Sequence, residues 1–150
     1  MSLTDFFKQG RLREHRTSHE DIQALLGIAE RSIADASVEL VSADARFAMA
    51  YNAVLQLATI PLRCSGYRAK GEGSHFITFQ TLIDTMGPDQ SDRVGYLDEC
   101  RRKRNIAEYD RAGDVSEREV EQLLAEAKAF KREVEEWLWR DYPELVAGER

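Results

Sequence analysis

The sequence predicts an all-α, up-and-down helical bundle of four to five main helices. Three observations carry that expectation: apolar residues recur at three- and four-residue spacing, helix-capping residues punctuate the chain, and the period-two alternation of a strand is nearly absent. At 150 residues the chain has the size of one domain with enough interior for a sizeable core. Residues 1–150 therefore read as one unit, with a short N-terminal extension over 1–17 and a frayed tail over 141–150.

A short amphipathic turn near Thr4 to Gly10 comes first. Ser18, with Asp21 three residues on, opens the first long helix, which runs to about Glu39. Ser42 or Asp44 caps the second, ADARFAMAYNAVLQLATIPLRCSG, whose apolar residues lie almost all round and mark a central buried rod. Pro61 is expected to kink that helix and Gly66 to end it. The loop YRAKGEGS leads to a third helix beginning near His75, with Phe76, Phe79, Ile83 and Met86 on one face and Gly87-Pro88 as its stop. The fourth starts between Asp89 and Asp92 and runs into RRKRNIAEYD. After DRAGD, Ser116 and Glu119 form a capping box for a last helix that turns Val120, Leu123, Leu124, Ala127, Phe130, Val134, Trp137 and Leu138 inward.

Lys and Arg total 21 against 27 Asp and Glu, and a net charge of -6 argues against a broad electrostatic grip on nucleic acid while allowing a local basic patch. Cys64 and Cys100 have no metal-ligand spacing and are too few for a disulfide framework, so both read as free thiols of a reducing, cytoplasmic compartment. The N-terminus MSLTDFFKQGRLREH lacks the apolar core of a signal peptide. The most apolar stretch is interrupted by Asn52, Gln56 and Arg63, so no membrane span is expected. His15 and His19 show no pairing that supports zinc, and the loop before His75 lacks the glycine spacing of a P-loop; no metal or cofactor is called for.

The concentration of charge at Arg101, Arg102, Lys103 and Arg104 is the feature that asks for a function. On a helical wheel Arg104 falls on the stripe of Leu97, Cys100 and Ala107, which should face the bundle. A guanidinium placed there meets a carboxylate such as Glu108, lies at a subunit interface, or points into a polar cavity open to a ligand. Arg102, Asn105 and Tyr109 share a different face and present either a cation, an amide and a phenol to one bound group, or a solvated helix end. On the second helix Asn52, Gln56, Thr59 and Arg63 draw a polar stripe that is either the solvent side or an enclosed seam whose amides need partners. His75 stands behind KGEGS, close in sequence to Arg68 and Lys70. That setting suits an anion, or else a structural histidine at a helix start.

The DARFAMAYNAVLQLA helix, the GYRAKGEGSH loop and RRKRNIAEYD before a closing amphipathic helix together resemble a HEPN domain (higher eukaryotes and prokaryotes nucleotide-binding). These are all-helical bundles of prokaryotic toxin-antitoxin and other nucleic-acid-related systems, and the resemblance covers about Ser18 to Trp139. Many members carry an Arg, a following polar residue and a His a few residues on, which pair across a dimer into a metal-independent ribonuclease site. Arg104-Asn105 matches the first half, Tyr109 stands where the His would, and no His follows His75. Imidazole titrates near neutral pH, whereas a phenol with a pKa near 10 is ionised in only about one molecule in a thousand at pH 7. In a shifted register Arg102 is the motif Arg, Ala107 replaces the His, and Tyr109 corresponds to a tyrosine that a partner nucleotidyltransferase modifies.

The resemblance thus implies a homodimeric RNA- or nucleotide-binding protein of a toxin-antitoxin-type system, with ribonuclease activity weak or lost. Arg101, Arg102, Arg104, Arg68 and Lys70 would contact phosphate. Arg104, Asn105 and Tyr109 are the catalytic candidates, His75 is a substitute imidazole, and a nucleotidyltransferase or another antitoxin is the implied partner. Two competing expectations are a non-catalytic antitoxin or scaffolding bundle whose basic segment docks an acidic partner, and an active metal-independent ribonuclease toxin.

Overall fold

The computed structural model describes residues 1–105 and 114–147. In chain order they form α1 (Leu3–Lys8), β1 (Leu12–Glu14), α2 (His19–Ala36), α3 (Ala43–Cys64), β2 (Tyr67–Ala69), α4 (Ser74–Gln80), α5 (Leu82–Thr85), a 3-10 turn (Pro88–Gln90), α6 (Ser91–Asn105), α7 (Glu117–Asp141) and α8 (Pro143–Ala147). This is an all-α helical bundle whose long members are α2, α3, α6 and α7. Among the described residues no helix is long and apolar enough to cross a membrane.

The helix boundaries follow from capping chemistry. The Ser18, Ser42 and Ser116 hydroxyls each accept the backbone N-H three residues on, and Glu119 returns the bond to the Ser116 N-H at 2.9 Å. Pro61 does not end α3, which runs on to Cys64. Gly66, at φ +94°, then takes the left-handed conformation that stops the helix at low cost.

The buried rod expected over the second helix is α3. Phe47, Ala50, Tyr51, Val54, Leu57 and Ile60 are all sealed from solvent and meet α2 on one side and the apolar face of α7 on the other. Arg93 clamps α6 to α7: its guanidinium lies 4.6 Å from the Phe130 ring centroid, bonds Glu126 Oε1 at 2.6 Å and also pairs with Glu133. Arg46 is the deeply buried cation, 4% exposed, with Nε on the Ala36 carbonyl at 2.8 Å and Nη1 on Glu117 Oε2 at 2.7 Å. It ties the end of α2 and the start of α7 to α3.

Several expectations need correction. A two-stranded antiparallel sheet exists after all, with Leu12, Arg13 and Glu14 opposite Ala69, Arg68 and Tyr67. Three residues are too few to show alternation, and what holds the strands is their inner side: Leu12 packs with Phe6, Leu62 and Ile77 in a second small core that Tyr67 and Ala69 border. Residues 1–17 are thus built into the fold through α1 and β1 rather than appended to it. The third helix is two pieces, α4 and α5, because Thr81 turns its hydroxyl onto the Thr78 carbonyl where they meet. The segment expected to fray carries α8, held where His19 Nδ1 bonds the Leu145 carbonyl at 2.7 Å and the Tyr142 ring packs at a tilt against Trp137.

The polar stripe of α3 is a half-buried seam rather than a solvent face. Asn52 donates to Ser32 Oγ at 3.0 Å, Gln56 donates to Asn52 Oδ1 at 3.2 Å, Thr59 bonds the Leu55 carbonyl, and Arg63 reaches Asp21 on α2.

Candidate functional site

Three helices bring one group of side chains together: Tyr51 from α3, His75, Phe76 and Phe79 from α4, and Asp98, Arg101 and Arg104 from α6. Tyr51 is the keystone. Its ring is buried in the middle of α3, where Phe79 meets it edge-on at 5.9 Å and the Arg104 guanidinium carbon lies 5.4 Å from its centroid. Its hydroxyl shares a 3.0 Å hydrogen bond with His75 Nδ1.

Local sequence explains why the side chains converge. Gly73, at φ +74°, allows the chain to turn directly into α4, so Ser74 is already helical and His75 lies on its first turn. Ile77 and Phe79 bury themselves and fix the roll of the helix, which leaves His75 and Phe76 half-buried at its edge. On α6, Leu97 and Cys100 are buried, as the wheel requires, and Arg101 and Arg104, three residues apart, are neighbours on the adjoining face. Arg101 reaches over Phe76 at 5.8 Å, as Arg104 reaches over Tyr51. Asp98 steadies the row by accepting from Arg101 Nε at 2.8 Å and Arg102 Nη1 at 2.7 Å.

The electrostatics follow from this packing. Burial, together with the positive charges of Arg104 and Arg101, holds the His75 imidazole below its ordinary value of 6.5, so it is neutral at neutral pH. Burial pushes the Tyr51 phenol well above its ordinary value, and the same two arginines only partly oppose that. The phenol keeps its proton. A neutral imidazole and a neutral phenol therefore stand beside two guanidiniums, one of which, Arg101, is braced by Asp98.

The sequence-predicted residues are sorted by this geometry. Arg101, Arg104 and His75 come together. Arg102 points outward from the Asp98 pair, and Asn105 is the exposed last residue of α6. Arg68 and Lys70 lie on and beside β2, joined to the group through the loop that leads to α4. Tyr109, with Ala107 and Glu108, lies outside the described residues. Sequence reasoning missed Tyr51 as a site residue and Asp98 as the brace. The one available signal for Tyr51 was a phenol set among small and aliphatic residues on a buried helix.

A groove of about 580 Å³ lies elsewhere, lined by residues 14–17 and 63–67. Three of its lining residues converge on Asp21, which accepts from Thr17 at 2.8 Å and His15 at 2.9 Å and pairs with Arg63. Burial works to raise Asp21, but the bonds from His15 and Thr17 and the Arg63 charge outweigh it and hold the carboxylate below its ordinary range. The network locks the approach to α2 onto the end of α3. Among the described residues no group of three or more His, Cys, Asp or Glu side chains is arranged to hold a metal ion.

Compared with known proteins, the chain matches no protein-family profile, no curated protein and no solved structure.

Proposed function

We propose that this protein is a HEPN-like, RNA- or nucleotide-binding bundle of a toxin-antitoxin-type system, and that it receives a phosphate at Arg101 and Arg104 beside His75. The observation that carries this reading is the Arg104–Tyr51–His75 arrangement: a guanidinium over a buried ring whose hydroxyl holds a neutral imidazole. Aromatic platforms under both arginines preset the direction of their planar forks, and preset forks lose less entropy on meeting a phosphate. Half-buried Phe76 adds a face on which a base can stack.

Metal-independent cleavage is the second reading, and the position of His75 favours it. The imidazole that the Arg-to-Tyr motif lacks is supplied from α4. With Nδ1-H donated to the Tyr51 oxygen, the Nε2 lone pair would take the proton of a ribose 2′-hydroxyl as the 2′-O–P bond forms and the P–O5′ bond breaks, the leaving 5′-oxygen taking a proton from water to give a 2′,3′-cyclic phosphate and a 5′-hydroxyl. A homodimer that encloses two such sites, and a nucleotidyltransferase or other antitoxin that controls them, belong to the same proposal.

Fluorescence anisotropy with a labelled single-stranded RNA at low salt tests the binding. Arg104→Ala should weaken it about tenfold or more, roughly 1.4 kcal/mol, while Arg132→Ala on the exposed side of α7 leaves it unchanged. No retention of RNA at low salt, or equal affinity in Arg104→Ala, overturns the reading. Incubation of RNA with chelator present decides the second reading, since cleavage that survives His75→Ala would remove His75 from it.

A further inference from the structure

The two-stranded sheet carries an arrangement of charge that its own strand pairing does not require. Arg13 and Arg68 are directly opposite one another across the two strands, and the Lys70 N-H bonds the Arg11 carbonyl at 3.1 Å, which continues the ladder past Leu12 and Ala69. Alternation puts Arg13 and Arg68 on the face away from buried Leu12, while Arg11 and Lys70 stand just beyond the strands, with the Arg11 guanidinium 6.0 Å from the Phe6 ring centroid at the edge of the small core. Like charges directly opposite destabilise a strand pair. Here two like-charged pairs follow one another in a chain whose net charge is -6.

Among the described residues none of the four has a carboxylate within ion-pair distance, whereas Arg46, Arg63, Arg93, Arg101 and Lys103 are each set on one. The nearest acids in sequence do not serve the face: Glu14 belongs to the opposite alternation, and Glu72 is exposed in the following loop. What the charges adjoin is the site. The guanidinium of Arg11 lies against Gly73, at 3.6 Å from where a Cβ would stand, and Gly73 is two residues before His75.

We infer that the outer face of the β1–β2 sheet is a track for the phosphate backbone of a single RNA strand, leading to His75 and the arginines of α6. The track presupposes the RNA reading above and deepens it: the ligand is an oligonucleotide long enough to lie on both surfaces, not a mononucleotide. Residues two apart on a strand are roughly 7 Å apart, close to the step between successive phosphates of an extended nucleic acid strand. Two successive cation pairs thus meet two successive phosphates. An acidic polypeptide has no such reason to continue from the two strands onto Phe76 and His75, where an aromatic face and an imidazole adjoin the guanidiniums.

The test measures the salt dependence of binding for labelled single-stranded RNAs of about 4 and about 16 nucleotides, spanning the usual range of single-strand sites. Wild type is compared with Arg13→Ser/Arg68→Ser, with the charge-keeping Arg13→Lys/Arg68→Lys, and with Arg104→Ala. Loss of the one phosphate met by the Arg13–Arg68 pair should lower the slope of log K against log salt by about 0.7 for the longer RNA. The serine pair should leave the shorter RNA bound as before, the lysine pair should keep the wild-type slope, and Arg104→Ala should weaken both RNAs. A wild-type slope in the serine pair overturns the track, and Arg104→Ala then still reports separately on the site. A lowered slope in both double variants would assign the effect to a distorted sheet and likewise overturn it. Competition by polyglutamate as strong as by RNA of equal charge would reassign the face to an acidic protein and end the inference.

Discussion

Replacing Tyr51 with Phe tests whether the phenol organises the site as the geometry requires. The substitution deletes one oxygen and nothing else: the ring stays under Arg104 and against Phe79, so no cavity forms. What is lost is the 3.0 Å bond to His75, whose net worth is about 0.5–1.5 kcal/mol. In a chain of this size, about 1 kcal/mol lowers Tm by roughly 2–4 °C. Tyr51→Ala removes the buried ring itself and should cost roughly 3–5 kcal/mol. Urea denaturation of the three proteins measures both steps. The imidazole should remain depressed in Tyr51→Phe, because burial and the two arginines depress it rather than the hydroxyl, and it should rise in Arg104→Ala. NMR titration of His75 reads this directly. A Phe variant as stable as wild type, or an Ala variant that loses under about 1 kcal/mol, would refute the keystone role of Tyr51.

Two further outcomes are expected. Arg46→Ala should destabilise by roughly 2–4 kcal/mol, since it strips the Ala36 carbonyl of a charged donor and opens space beside α3, whereas Glu117→Gln should cost under about 1 kcal/mol because that carboxylate is largely exposed; equal costs in chemical denaturation would contradict this asymmetry. His75 binds its proton less readily folded than unfolded, so its contribution is fully present above about pH 6.5 and declines as pH falls through that value toward the lower folded pKa. Stability measured between about pH 7.5 and 5.5 should therefore fall more steeply in wild type than in His75→Gln, and parallel profiles would count against the depressed imidazole.

The sequence by itself determined the helical class and the main helix boundaries. Serine caps, the Gly66 stop and the apolar periodicity of α3 and α7 act within a few residues, so they are readable without the fold. It also marked His75, Arg101 and Arg104 as chemically pointed residues. Only the tertiary structure decided which of them meet. Tyr51 and His75 are 24 positions apart and Arg104 a further 29 along, and neither helical periodicity nor propensity encodes contacts at that separation. The two-stranded sheet was invisible for a related reason: its strands, separated in the chain by residues 15–66, are held by Leu12 packing against Leu62 and Ile77, not by any preference of their own. The division is physical. Local backbone hydrogen bonding sets where helices start and stop, while the burial of side chains distant in sequence sets which charges end up beside which rings.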